Sequence, residues 1–287
     1  TPPATAKRSL LKPDPPGYPA REPRPPQDQP RIQTVNNNAD KPLQGKTAIV
    51  TGASSGIGNA TATALAERGA NIVATARRTD RLTQLTTRLK ELGVDARAST
   101  CDITDLGSVR STIEEAIDHF GHIDILINNA GYMPNAPVTQ GKIEDWKQMV
   151  DVNINGVLHA THTLLPHLVK QGHGHIVNIS SVAGRRVFPT GAVYCGTKHF
   201  VHAFSEGLRA ETAKLGIRVT IIAPGLVDTE LFDHLPDDDA KQRLKNAAET
   251  MRFLEPRDIA NACAYALTQP EHVAINEVLV RPAAQEN

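Results

Sequence analysis

Tyr194-Cys195-Gly196-Thr197-Lys198 is the stretch whose residue types and spacing could most directly do chemistry. Positions i and i+4 of a helix share a face, so the Tyr194 hydroxyl and the Lys198 ammonium can point into one site. A phenol with an ordinary pKa of about 10 transfers protons poorly at neutral pH, and a nearby ammonium favours the phenolate and lowers that value. Lys198 is therefore expected to tune Tyr194. Two serines, Ser180 and Ser181, end an apolar run upstream, Ser181 thirteen residues before the tyrosine. A hydroxyl there could donate a hydrogen bond to a substrate oxygen on which negative charge develops. A tyrosine and a lysine four apart are common in helices, so the pattern takes its meaning from what surrounds it.

What surrounds it, from Lys46 onward, is an alternation of short β-branched runs with amphipathic stretches of helical period. Strands are predicted at Lys46–Thr51, Asn71–Ala76, Ala96–Thr100, Ile123–Asn128, His175–Ile179, Arg218–Ala223 and Val278–Val280. Helices are predicted at Gly58–Arg68, Thr79–Leu92, Asp105–Phe120, Ile143–Lys170 with breaks, and Ala192–Leu215. The pattern implies a single doubly wound α/β domain over residues 44–287, a seven-stranded parallel sheet with helices on both faces. Ligands of such sheets bind beyond the carboxyl ends of the strands. Ser181 stands at one of those ends.

The first strand runs directly into Thr51-Gly52-Ala53-Ser54-Ser55-Gly56-Ile57-Gly58 and an alanine-rich helix. Glycines allow a tight turn and close approach of a pyrophosphate, and the helix N-terminus offers unpaired N–H groups and a positive dipole end. A dinucleotide is the ligand expected there, with Gly52, Ser54, Ser55, Gly56, Ile57 and Gly58 as contacts. An NAD site usually has an acid at the end of the second strand to accept the ribose hydroxyls. This chain instead reads Ala74-Thr75-Ala76-Arg77-Arg78, with no acid until Asp80. Two guanidinium groups suit a 2′-phosphate, so NADP is the expected cofactor, with Arg77 and Arg78 as its selectors.

The TGxxxGxG spacing, together with Ser181, Tyr194 and Lys198, resembles the classical short-chain dehydrogenase/reductase family over roughly residues 44–287, on a Rossmann-type fold. The resemblance selects Ser181 over Ser180 as the serine that polarises the substrate oxygen. It implies that Asn153, in Asp151-Val152-Asn153-Ile154-Asn155-Gly156, completes a catalytic tetrad by holding, through its side chain or a backbone kink, a proton-relay water, with Asn155 a competing assignment. It implies cofactor contacts from Asn129, Ala130 and Gly131 of the Asn128-Asn129-Ala130-Gly131 element, and from Asp102 and Ile103 near the adenine. Pro224, Gly225, Val227 and Thr229 match the element that fixes the nicotinamide. Lys198 would also bind the ribose beside it, and Tyr194 would face the ring. The activity implied is NADP-linked hydride transfer to a carbonyl or from an alcohol, a ketoreductase reaction. The ending Asn276–Pro282 is similar to the small-alcohol and 3-hydroxy-acid branch, including clavulanate-type aldehyde reductases. Helices over Ile143–Lys170 and Ala192–Leu215 correspond to the family's subunit contacts, so a homotetramer, or failing that a homodimer, is expected.

Two other classes compete. A scaffold protein that kept the fold and lost chemistry would not need Ser181, Tyr194, Lys198 and Asn153 intact. An extended-family epimerase or dehydratase would usually carry TGxxGxxG and a longer C-terminal substrate region, and this chain has neither feature.

Composition narrows the partners. Thirty-one basic residues balance thirty-one acidic ones, so no global field draws the chain to nucleic acid or an anionic membrane. No apolar run approaches the roughly 18 residues needed to cross a bilayer. Three cysteines, Cys101, Cys195 and Cys263, suggest neither a disulfide framework nor a zinc site and fit a reducing, cytoplasmic compartment. Eleven of the twenty prolines fall between Pro2 and Pro42, among few large apolar residues, and such a segment cannot bury enough surface to offset its ordering entropy. Residues 1–43 are thus expected to form an extended or disordered arm. His159, His162, His167, His173 and His175 lack the signature of a metal site and read as exposed or interfacial. Asp237, Asp238 and Asp239 read as helix-start charges rather than ligands. Arg185 and Arg186 lie where a substrate carboxylate could be met, although a solvent-facing position is the simpler expectation.

Overall fold

The computed structural model describes residues 41–234, 242 and 246–286. The proline-rich arm, apart from residues 41–43, and the Asp237–Asp239 run lie outside the described residues.

In chain order the principal elements are β1 (Thr47–Thr51), α1 (Gly56–Glu67), β2 (Asn71–Ala76), α2 (Thr79–Glu91), β3 (Ala96–Thr100), α3 (Leu106–Phe120), β4 (Ile125–Asn128) and α4 (Ile143–Val150). They continue with α5 (Gly156–Gln171), β5 (Gly174–Ile179), α6 (Ala192–Thr212), β6 (Ile217–Pro224), α7 (Pro256–Leu267) and β7 (Glu277–Val280). All seven strands pair in parallel in the order β3-β2-β1-β4-β5-β6-β7. The chain therefore winds outward from β1 in one direction and returns to start again at β4. The crevice between β1 and β4 is the topological switch point, where ligands of open α/β sheets bind.

Strand alternation explains why both faces are covered. Ala48 and Val50 of β1, Ile125 and Ile127 of β4, and Val177 and Ile179 of β5 turn one way, onto Leu65 of α1, Leu85 of α2 and Ile259 of α7. Ile49, Leu126 and Ile176 turn the other way, onto Ile113 of α3, Leu164 of α5 and Leu208 of α6. Strands buried on both faces are mainly apolar, and the buried polar residues of β5, His175 and Asn178, are each hydrogen-bonded.

Local chemistry sets the helix starts. Asp105 caps α3 by accepting from the Gly107 N–H at 2.8 Å. Glu255 and Asp258 form a reciprocal capping box at α7, with Pro256 in its first turn. The break expected between Ile143 and Lys170 is a single π turn, Asp151–Asn155, joining α4 to α5. Pro166 lies inside α5 without ending it.

Candidate active site

One cavity of about 1330 Å³ opens at the carboxyl ends of the strands and collects nearly every residue singled out by sequence. The glycine loop, Arg77, Arg78, Asp102 and Ile103, from the loops after β1, β2 and β3, line it on one side of the switch point. Asn129–Gly131 after β4, with Ser181, Tyr194, Lys198, Pro224, Gly225, Val227 and Thr229, line it on the other. Gly58 and Asn153 lie behind the wall, and both act through what they touch.

Gly58 and Gly52 show why the loop is glycine. A Cβ on Gly52, at φ +66°, would stand 2.9 Å from Ala130 Cα, and one on Gly58 would stand 2.4 Å from the Gly52 carbonyl oxygen. At these two positions the absent Cβ makes room for the protein's own backbone and the Asn129 side chain, while Gly52 still lines the cavity. The Asn129 side chain donates to the Thr51 carbonyl at 2.9 Å, and the Thr51 hydroxyl accepts from the Asn129 and Ala130 N–H groups. The loop after β4 is thereby bolted to the loop after β1. Asn128 anchors that loop from below: its amide donates to Asn178 Oδ1 at 2.8 Å, and Asn178 donates in turn to Ser205 on α6 at 2.7 Å. Such a buried polar chain specifies geometry because each member is costly to leave unpaired.

Asn153 sits on the π turn, an insertion that frequently marks functional positions. It is 1% exposed. Its Oδ1 accepts from the Tyr132 N–H, while its Nδ2 donates to the Tyr132 carbonyl at 2.9 Å and to Thr197 Oγ1 at 3.1 Å. These bonds give the Asn153 carboxamide a positioning role, holding Tyr132 and Thr197. Asn155 donates instead to Asp151 Oδ1, on the turn's outer side. That separates the two asparagines left open by the sequence.

The serines separate too. Ser180 is buried and donates to the Lys198 carbonyl at 3.3 Å, whereas the Ser181 hydroxyl accepts from the Ala183 N–H at 3.1 Å, donates to the Pro224 carbonyl at 3.5 Å, and stands near enough to the Tyr194 phenol to favour its phenolate. Lys198 Nζ donates to the Ile179 carbonyl at 2.9 Å and lies 5.8 Å from the Tyr194 ring centroid. The expected tuning does not take the form predicted. Burial pushes the Tyr194 phenol up to about 12, outweighing the lowering by Ser181. Burial also pulls the Lys198 ammonium down to about 8. Desolvation disfavours both charged forms, and at this separation it dominates the mutual attraction.

At the end of β2 the two arginines differ. Arg78 donates through Nε to Ser54 Oγ at 3.0 Å, through Nη2 to Ser54 and Ser55, and through Nη1 to Glu230 at 2.7 Å. Arg77 is exposed and makes no hydrogen bond or ion pair among the described residues. Asp102 accepts from the Thr104 N–H and hydroxyl, which hold its carboxyl below the usual range. His159 bonds the Ile103 carbonyl at 3.1 Å, fixing the adjacent wall.

The far end of the cavity is mostly apolar, with Met133, Val182, Phe188, Leu231 and Phe232, and it carries Arg186. Arg185 is instead clamped to Glu277 of β7, with Nε at 2.6 Å from Oε1, which removes it from the substrate candidates. Gln285 was not singled out by sequence. Its Oε1 accepts from the Leu226 N–H at 3.0 Å, so the C-terminal segment secures the Pro224–Leu226 loop. Nothing local signals such a contact across 59 residues.

His175 corrects the histidine reading. It is buried at 2% exposure, bonds Thr220 at 2.8 Å, and is held down to about 3 by burial, with Arg218 adding repulsion. Among the described residues no group of three or more His, Cys, Asp or Glu could hold a metal ion. No described helix is long and apolar enough to cross a membrane.

The sequence matches the short chain dehydrogenase family over residues 46–240. The chain belongs to that family of oxidoreductases. It is 45% identical over 245 residues to an uncharacterised oxidoreductase of Staphylococcus saprophyticus, covering 85% of this chain and 98% of the relative. Among solved structures, the closed form of a serine dehydrogenase complexed with NADP+ superposes with a TM-score of 0.78 at 34% identity, covering 84% and 96% of the two chains. An alcohol dehydrogenase from Thermococcus sibiricus complexed with 5-hydroxy-NADP gives a TM-score of 0.75 at 28% identity, covering 84% and 98%.

Proposed function

We propose that this protein is an NADP-linked oxidoreductase that interconverts a carbonyl compound and the corresponding alcohol. The observation that carries the reading is the convergence of Ser181, Tyr194 and Lys198 in the cavity that the glycine loop and Arg77 also line. The residues present fit NADP. At the end of β2, Ala76 stands where an NAD site would need an acceptor for the ribose hydroxyls, and the Arg77 guanidinium beside it suits a 2′-phosphate. The NADP complexes of the similar serine and alcohol dehydrogenases support the same choice.

The cofactor, when bound, supplies or takes up the hydride. Pro224, Gly225 and Thr229 would hold its nicotinamide end, and Gly56 and the start of α1 its phosphates. Ser181 and Tyr194 donate hydrogen bonds to the substrate oxygen, where negative charge accumulates as the carbonyl is reduced. Tyr194 then gives up its proton. A phenol at about 12 is fully protonated at neutral pH, so it enters the reaction ready to act as an acid. Lys198 stabilises the phenolate left behind and would orient the cofactor's ribose. Asn153, through Tyr132 and Thr197, holds the loop after β4 and the start of α6 in register. The apolar far end of the cavity excludes water from the reacting carbon.

The test is a panel of ketones and aldehydes screened for NADPH oxidation at 340 nm, with the Tyr194→Phe variant as control. Absence of any Tyr194-dependent turnover across aliphatic, aromatic and carboxylated carbonyls would overturn the assignment.

A further inference from the structure

The Glu230 carboxylate is held by two guanidinium groups at once, Arg78 Nη1 at 2.7 Å and Arg81 Nη1 at 2.5 Å. Glu230 is exposed enough to be solvated elsewhere, at 42% side-chain exposure, yet these two hydrogen bonds hold its carboxyl down to about 2. The pair lies within the cofactor half of the cavity, and Arg78 at the same time binds Ser54 and Ser55 of the glycine loop. Of the five N–H bonds of the Arg78 guanidinium, those facing the loop go to serine hydroxyls and one facing outward goes to Glu230. A carboxylate thus sits where an anion gathers charge-assisted hydrogen bonds.

We infer that Glu230 is a specificity-determining residue, an internal anion that occupies Arg78 and Arg81 and must yield them to the 2′-phosphate of the cofactor. The inference rests on the NADP reading above and deepens it. Two anions cannot both be accommodated on the same guanidinium edges without repulsion, so the affinity for a 2′-phosphate is the affinity left after Glu230 is displaced. Arg77, whose guanidinium makes no ion pair among the described residues and feels Asp102 only at longer range, surrenders less. The arrangement also reaches the substrate end. Glu230 opens the short 3₁₀ turn Glu230–His234, whose Leu231 and Phe232 line the apolar part of the cavity. An anion that takes the arginines therefore frees the turn that shapes the substrate pocket.

The experiment compares adenosine 2′,5′-bisphosphate with adenosine 5′-phosphate, by calorimetric titration of the full chain, for wild type, Glu230→Gln and Glu230→Ala. The Glu230 side chain is 42% exposed, so both variants should fold, which circular dichroism and thermal melting check. The expected result is that both variants bind the bisphosphate about three- to tenfold more tightly, the range of an exposed ion pair in a small network, with the monophosphate unchanged. Hydrogen exchange should rise at the Leu231 and Phe232 amides of the wild type on adding the bisphosphate and not the monophosphate. Unchanged or weaker bisphosphate binding in both variants overturns the inference, because Glu230 would then buttress the arginines rather than compete for them. If the wild type fails to distinguish the two nucleotides, the NADP reading itself is overturned, and the inference with it.

Discussion

The Asn153 carboxamide grips the Tyr132 backbone by both polar ends, accepting from its N–H at 2.8 Å and donating to its carbonyl at 2.9 Å. Tyr132 directly follows Asn128-Asn129-Ala130-Gly131, and the second amide hydrogen of Asn153 reaches Thr197, the residue before Lys198. One side chain on the π turn thereby connects the loop after β4 to α6, which carries Tyr194 and Lys198. Asn153→Ala should strand several of these groups, costing about 1–3 kcal/mol. For a chain of this size that is a fall in melting temperature of roughly 2–4 °C per kcal/mol. Turnover should drop at least tenfold, because the loop and α6 lose their common reference. Thermal denaturation and kcat decide it: an unchanged melting temperature would contradict the packing role.

Tyr194→Phe removes only the proton donor, since the ring remains buried against Cys195, Met133 and Met149. Turnover should fall by the 10²- to 10⁴-fold that proton-transfer groups typically contribute, while NADPH binding changes little. More than about a tenth of the wild-type rate, or a large loss of NADPH affinity in titration, would show that Tyr194 is not the acid.

Much of this site could be read from sequence because its parts are local. The Tyr194–Lys198 spacing, the glycine loop and the arginines after β2 each lie within one strand-to-helix unit, where periodicity and turn chemistry act. β2 and β3 fall where the β-branched runs placed them. The misses all involve distance along the chain or burial. Glu230 reaches Arg78 across 152 residues, and Gln285 reaches Leu226 across 59. Burial of Tyr194 and His175 is a property of the assembled sheet and helices, and it reversed one pKa expectation and one exposure expectation. The π turn at Asp151–Asn155 has no glycine or proline within it to announce it.

Lys198 illustrates the cost of function to stability. Its folded pKa, about 8, is depressed from an ordinary 10.5 by burial. A depressed folded value means full stability only above the unfolded pKa, lost progressively as pH falls from about 10.5 to 8, with the penalty complete at neutral pH. The linkage penalty is about 3 kcal/mol at 1.36 kcal/mol per unit, offset in part by about 1 kcal/mol for the bond to Ile179. Lys198→Met should therefore melt higher than wild type at pH 7 and lose that advantage as pH approaches 10.5, while turnover collapses. Calorimetric melts at pH 7, 9 and 10.5 check this, and a variant that is less stable at pH 7 would refute the account.

On the proposed reading, cofactor choice turns on Arg77, which makes no hydrogen bond or ion pair among the described residues while its neighbour Arg78 is committed to Ser54, Ser55 and Glu230. Ala76, the last residue of β2, stands where an acid would meet the ribose hydroxyls in an NAD enzyme. A 2′-phosphate carries nearly two negative charges, and each charge-assisted hydrogen bond to a guanidinium contributes roughly 1.5–3 kcal/mol. Replacing Ala76 with Asp and Arg77 with Gln removes one such donor, repels the phosphate, and offers the ribose an acceptor. At about 1.4 kcal/mol per decade, preference should move toward NADH by tenfold or more. The measurement is kcat/KM for NADPH and NADH with one substrate, before and after the double change. If the unaltered enzyme already prefers NADH, or if the ratio does not move, Arg77 is only a solvated charge at the start of α2 and the NADP assignment is wrong.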